Sequence, residues 1–162
     1  MTNIKLDFHH SFWLCSILLM FIVVCAPTKG IAQNHTNNCR KEKLSISDAF
    51  NEATLIFVGR VKQISNSPLR KGFVEVIFDI QTGIKGTDEL PTKTAMIYTP
   101  VEASQCNYNF FKGSDYLVYA TGTLAFYKTD SLTRTNNIEI AAKEREITKL
   151  KEFASAQSGS EQ

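Results

Sequence analysis

The chain has 162 residues, with 18 Lys and Arg against 16 Asp and Glu, 43% apolar residues and four cysteines. That length holds one domain with its own core and is short for two. No run of five or more like charges breaks the near-neutral balance, so the clustered basic field that nucleic-acid binding depends on is missing and nucleic acid is excluded as a partner.

The first predicted element is a signal peptide over residues 1–32. Weak positive charge from Lys5, with His9 and His10, precedes an uncharged run from Ser11 to Pro27 that is rich in Leu, Ile, Val, Phe and Met. About 16 apolar residues fall short of the roughly 20 that a helix needs to cross a bilayer. Gly30 and Ala32 then supply small side chains where a signal peptidase reads them, the layout of a cleavable export signal. Cleavage is expected between Ala32 and Gln33. The product is secreted, periplasmic or extracellular, with no stable membrane insertion. The competing readings are an uncleaved anchor and a lipoprotein attached at Cys25, although Val23 and Val24 stand where lipidation needs a small residue.

Removal of Lys5, Lys29 and Asp7 with the signal leaves 16 basic against 15 acidic side chains, and Cys15 and Cys25 leave too. Two cysteines remaining in an oxidising compartment, Cys39 and Cys106, read as one disulfide. Closing a loop of about 67 residues constrains the unfolded chain by roughly 4 kcal/mol on the loop-entropy account. The competing reading is two free buried thiols in a reducing compartment.

Along the mature chain, residues 33–38 are polar and without period, a flexible leader. Ser45 with Asp48 three places later opens a short helix over Ser45–Ala53 in the manner of a capping box. Leu55–Ile64 is β-branched and aromatic, a first strand, with Gly59 marking a bulge or bend. Phe73–Ile80 alternates Val74, Val76, Phe78 and Ile80 against Glu75 and Asp79, a half-buried second strand. A loop is expected over Gly83–Pro91, a third strand over Thr94–Thr99, and two more over Asp115–Ala120 and Thr123–Lys128, joined by a tight hairpin at Thr121-Gly122. From Ile138 the period changes: Ile140, Ile147, Leu150 and Ala154 share one face, with Lys143, Glu144, Glu146, Lys149 and Lys151 elsewhere. An amphipathic helix capped by Asn137 is expected to end the domain, followed by a polar tail over 155–162. Five strands and a helix cannot hide both faces of an open sheet, so a mainly β domain over 39–154, closed into a small barrel, is the economical arrangement.

The order of these motifs resembles the netrin-like and tissue-inhibitor-of-metalloproteinases group, especially its compact bacterial members. The matching pieces are Asp48-Ala-Phe-Asn-Glu-Ala-Thr-Leu-Ile-Phe-Val-Gly-Arg-Val61, the strand ending at Ile80 with Gly83-Ile-Lys-Gly86 after it, Cys106, Phe110-Phe-Lys-Gly-Ser-Asp-Tyr-Leu-Val-Tyr-Ala120, and Thr133-Arg-Thr135. The resemblance implies a five-stranded OB-type closed barrel with helices packed on it. Members of the group usually begin Cys-x-Cys and carry two bridges. Here Cys39 takes the first position, Lys41 stands at the second, and Leu132 stands at its partner's place, so only the Cys39–Cys106 bridge is implied.

The resemblance also implies a protein partner, in the best-known case a metalloproteinase whose zinc is chelated by the free amine of an N-terminal cysteine. Six residues would precede Cys39 after cleavage, making its nitrogen an amide. The partner-binding edge is then Cys39, Arg40 and Lys41 tied to Ser104, Gln105 and Asn107. The alternative is an envelope or surface interaction module with no inhibitory activity.

Enzyme chemistry has little to use. His35 is the only histidine left in the mature chain, so triads and multi-histidine metal sites lack their residues, and phosphate-loop and His-Glu-x-x-His motifs are missing. Paired carboxylates such as Asp115 with Asp79 can be pictured in a cleft; solvated surface charges are the plainer reading. Tyr98, Tyr108, Phe110 and Phe111 are either an aromatic binding patch or core and loop anchors. The expectation is a non-catalytic module with no metal and no cofactor.

Overall fold

The computed structural model describes residue 39 and residues 44–102, 106–143 and 145–159. The signal, the leader and four of the six edge residues (Arg40, Lys41, Ser104 and Gln105) lie outside them. The elements in chain order are α1 (Ile46–Glu52), β1 (Leu55–Asn66), β2 (Phe73–Lys85), a 3-10 turn (Thr87–Glu89), β3 (Thr94–Pro100), β4 (Asp115–Thr123), β5 (Phe126–Lys128), β6 (Asn136–Asn137), α2 (Ile138–Lys143) and α3 (Glu146–Ser158). β1 pairs with both β2 and β4, and β3 pairs in parallel with β5, so the order β1-β2-β3-β5-β4 closes on β1. This is the OB-type five-stranded barrel.

The residue pattern explains the closure. Leu55, Ile56, Phe57 and Val58 are all buried because the first half of β1 is covered on both faces. Leu55 and Phe57 point into the barrel with Val76, Phe78, Ile97, Val118 and Tyr127, while Ile56 and Val58 meet Phe50, Leu117, Tyr119 and Leu150 on the outside, beneath the helices. Past Gly59 only Val61 is buried and the rest of the strand reaches solvent. One of the three register shifts of β1 against β2 falls at Gly59: a Cβ there would meet the Phe57 ring at 2.8 Å and Asp79 O at 2.9 Å, so only glycine lets the two backbones approach. Inside, Phe78 is edge-on to Phe57 and Phe110 with ring centroids 5.4 and 5.3 Å apart, geometry that adds to area burial.

α1 starts as its sequence directs: Ser45 Oγ accepts the Asp48 N–H at 3.1 Å and donates to the Asp48 carboxylate at 2.7 Å. Other expectations need correction. β2 runs to Lys85 because its far end pairs with Ile56 of β1, so the loop expected from Gly83 is strand as far as residue 85. The hairpin turns at Leu124-Ala125, with Gly122 inside the ladder opposite Tyr127. Gly122 has φ 122°, and a Cβ would sit 2.1 Å from Phe126 O; the glycine reads as a turn in sequence but serves a close strand crossing. The terminal helix is two helices, parted at Arg145 (φ 52°). That kink puts Ile140 out of phase with Ile147 and Leu150, leaving it 48% exposed. α3 runs through Ser158, so the first residues of the expected tail are helical. Asn137 does cap, its Oδ1 accepting the Glu139 N–H at 3.0 Å, while also pairing with β4 as part of β6.

Candidate functional site

Cys39 and Cys106 form a disulfide across 67 residues of sequence, with Cα atoms 5.1 Å apart. It fastens the segment before α1 to the loop after β3. Cys106 takes a left-handed backbone (φ 61°), uncommon for a non-glycine residue. Its carbonyl accepts the Ser131 N–H at 2.8 Å. Beyond it, Tyr108 N–H donates to Thr99 Oγ1 at 2.9 Å, and Asn107 Nδ2 reaches Asn109 Oδ1 at 3.4 Å. Of the expected edge residues, the structure therefore brings Cys39 and Asn107 to one place. Next to them lies a small cavity of about 140 Å³ whose lining includes Ile64, Val74, Val101, Asn107 and Tyr108. Ile64 and Val101 also reach solvent.

The aromatic residues resolve mostly as anchors. Phe110 is buried against Tyr108, Tyr116 and Phe78; Tyr98 is buried and Phe111 is exposed. Burial pushes the Tyr108 phenol up to about 12. The face that OB barrels commonly offer to oligonucleotides and oligosaccharides lies on strands 2 and 3, between the first and last interstrand loops. Here Arg70 from the first of those loops lies 4.0 Å over the Phe126 ring and 5.5 Å from Tyr98, and its Nη2 donates to Ala125 O at 3.2 Å. The protein's own guanidinium thus covers the Phe126 ring and links the β1–β2 loop to the β4–β5 turn.

Asp115 and Asp79 are each engaged by a cation. Arg60 donates to both Asp115 carboxylate oxygens at 2.8 Å, Gln81 Nε2 adds a bond at 2.9 Å, and Lys62 holds Asp79 at 2.8 Å. Arg60 lies opposite both aspartates in register. The hydrogen bonds and charge of Arg60 keep the Asp115 carboxyl below its usual range, so it is an acceptor and not a proton donor near neutrality.

The strongest polar constellation involves a glutamate that the helical period sets off the apolar face. Glu146, at the start of α3, is fully buried. Arg134 Nε donates to its Oε1 at 2.7 Å and Nη2 to its Oε2 at 2.9 Å, and the Tyr119 hydroxyl donates to Oε1 at 2.6 Å. Arg134 Nη1 also donates to Leu44 O at 2.9 Å, joining α3, the segment before α1 and the outer wall of the barrel. Burial, then the Glu146 carboxylate, push the Tyr119 phenol far up. Thr135 Oγ1 serves the backbone of Tyr119, accepting its N–H at 3.0 Å and donating to its carbonyl at 3.1 Å. The signal in sequence was Thr133-Arg-Thr135 itself; nothing in the helical period marked Glu146 as its partner.

Among the described residues no three His, Cys, Asp or Glu side chains gather as metal ligands, and no helix is long and apolar enough to cross a membrane. Fold and bridge together define the class as a disulfide-bonded OB-type barrel. No protein-family model matches the chain, and no curated protein matches it.

Proposed function

We propose that the mature protein is an exported, non-catalytic OB-type module that docks on a protein partner through the disulfide-tied edge of residues 39–43 and 104–107. The resemblance to tissue inhibitors of metalloproteinases names the partner class as a metalloproteinase. One observation carries the reading: the bridge joins the segment before α1 to the β3–β4 loop, and fixing two segments in advance lowers the ordering cost of binding. The adjacent apolar cavity at Ile64 and Val101 supports it, because water-excluding contacts beside a rigid edge are where binding energy concentrates. The engaged state of Asp79, Asp115 and Glu146 fits structural rather than catalytic carboxylates.

A reading as an envelope or surface module without inhibitory activity is favoured by the sequence ahead of Cys39. After cleavage at Ala32 its nitrogen is an amide, whose lone pair is delocalised into the carbonyl and cannot serve a zinc ion. The experiment compares forms beginning at Gln33 and at Cys39 against a panel of zinc proteases. The Gln33 form is expected to leave the proteases active, and the Cys39 form to inhibit weakly, its segment being held by one bridge. If the Gln33 form inhibits as strongly, the amine argument is wrong; if neither inhibits, the surface-module reading stands. Intact mass of exported material tests cleavage: retention of residues 1–32, or a lipid on Cys25, contradicts it.

A further inference from the structure

At the opposite end of β2 from the disulfide, a cavity of about 400 Å³ opens where α1 ends, the 3-10 turn begins and the β4–β5 hairpin folds over; Asn51, Thr54, Lys85, Glu89, Thr123 and Tyr127 line it. Its volume is within the range of small-molecule pockets.

Its chemistry is specific. Tyr127 is 3% exposed, yet among the described residues no hydrogen bond is made to its hydroxyl, while no buried side-chain nitrogen or oxygen lacks a partner. The ring is therefore enclosed and its oxygen meets solvent in the cavity it lines. Burial, then the charge of nearby Glu89, raise the Tyr127 phenol, and Glu89 itself has no hydrogen bond or ion pair among the described residues. Lys85 Nζ donates to Phe50 O at 2.7 Å and reaches Asn51 O at 3.5 Å, which leaves one of its three N–H groups for another acceptor. Lys85 and Glu89 share the cavity without forming an ion pair with each other. A cation and an anion that line one pocket without pairing, together with a phenol, suit a ligand carrying both charges.

We propose that this cavity binds a free α-amino acid, the ligand carboxylate accepting from Lys85 and its ammonium donating to Glu89, with the Tyr127 hydroxyl completing the polar contacts. Ala53 and Leu124 supply apolar wall, and Leu124 is 57% exposed at the rim, which favours an aliphatic side chain. This inference does not rest on the partner edge, which lies at the other end of β2.

The test is a chemical-shift titration of the isotopically labelled mature protein with L-leucine, with N-acetyl-L-leucine and L-leucinamide as singly charged controls. Leucine is expected to shift amides in residues 51–54, 85–89 and 122–127, and each control to bind about tenfold more weakly, the loss of one charge-assisted bond. Glu89→Gln, at an exposed position, should weaken leucine by about the same factor while leaving N-acetyl-leucine unchanged. Tyr127→Phe, which keeps the enclosed ring, should weaken leucine as well. No shifts at millimolar leucine, controls that bind as tightly, or indifference to Glu89→Gln each overturn the proposal.

Discussion

Two groups of charges in this protein use the same chemistry in different surroundings. On the outer face of β1, β2 and β4, Arg60 and Lys62 pair with Asp115 and Asp79 at 2.8 Å, with Arg60 and Lys62 more than half exposed. Under α3, Arg134 pairs with Glu146 at 2.7 Å, the carboxylate carrying no exposure. The bond lengths are nearly equal. What differs is what happens when one partner goes: an exposed charge is taken up by water and salt, whereas a buried carboxylate without its cation has nothing to replace it. Distance alone says little about which ion pair holds the fold.

Substitutions at the buried lock give the sharpest way to break that contrast. Arg134→Met is expected to lose the most stability, about 3–5 kcal/mol by chemical denaturation. Adding Glu146→Leu should recover most of the loss, since two apolar side chains need no counter-charge. A double variant as unstable as the single one would falsify the assignment of the loss to the stranded carboxylate.

Tyr119→Phe comes next, at about 1–3 kcal/mol, because one donor to the buried carboxylate disappears while the ring stays. The same residue gives the lock a signature in alkali. The folded-state phenols of Tyr119 and Tyr108 are raised by burial, so their contribution is fully present below the ordinary tyrosine value near 10 and drains as the pH climbs from there toward the folded values. Thermal unfolding followed above that pH should show a steep fall in the wild type and a shallower one in Tyr119→Phe; equal slopes would mean that Tyr119 is not held protonated by the fold.

The surface ladder should show the smallest effects. The Asp115 carboxyl is depressed by Arg60, so its stabilising contribution is present above the unfolded value of 3.8 and is lost as the pH falls below that toward the folded one. Asp115→Asn is expected to flatten that acid limb slightly and to remove some of its salt dependence, leaving neutral stability nearly unchanged. A loss at neutral pH matching that of Arg134→Met would erase the distinction between the two groups.

Most of the barrel is legible from residues because strand and helix periods are local. The capping pair Ser45 and Asp48, the bulge at Gly59 and the alternation from Val74 to Ile80 each depend on neighbours a few positions away, and each is where the sequence puts it. The run Leu55-Ile-Phe-Val is apolar at every position, and only the tertiary structure gives the reason: one pair fills the barrel and the other lies beneath the helices. Gly122 resembles a turn residue, but its lack of a side chain is used against Phe126 O across the hairpin. In the edge, Cys39 and Cys106 are the two cysteines that lie beyond the expected signal and could be paired by counting, whereas the cavity beside Asn107 depends on Ile64 and Val101 arriving from separate strands and loops.

The sequence by itself determined which segments extend and which coil, because those follow from local period and composition. Tertiary structure decided that Arg134 and Glu146 are partners, that Arg145 breaks the final helix out of phase, and that Lys85, Glu89 and Tyr127 face one cavity. Each of those outcomes joins residues from different elements, and burial, which fixes the strength of a charge pair, is a property of what the rest of the chain packs over it.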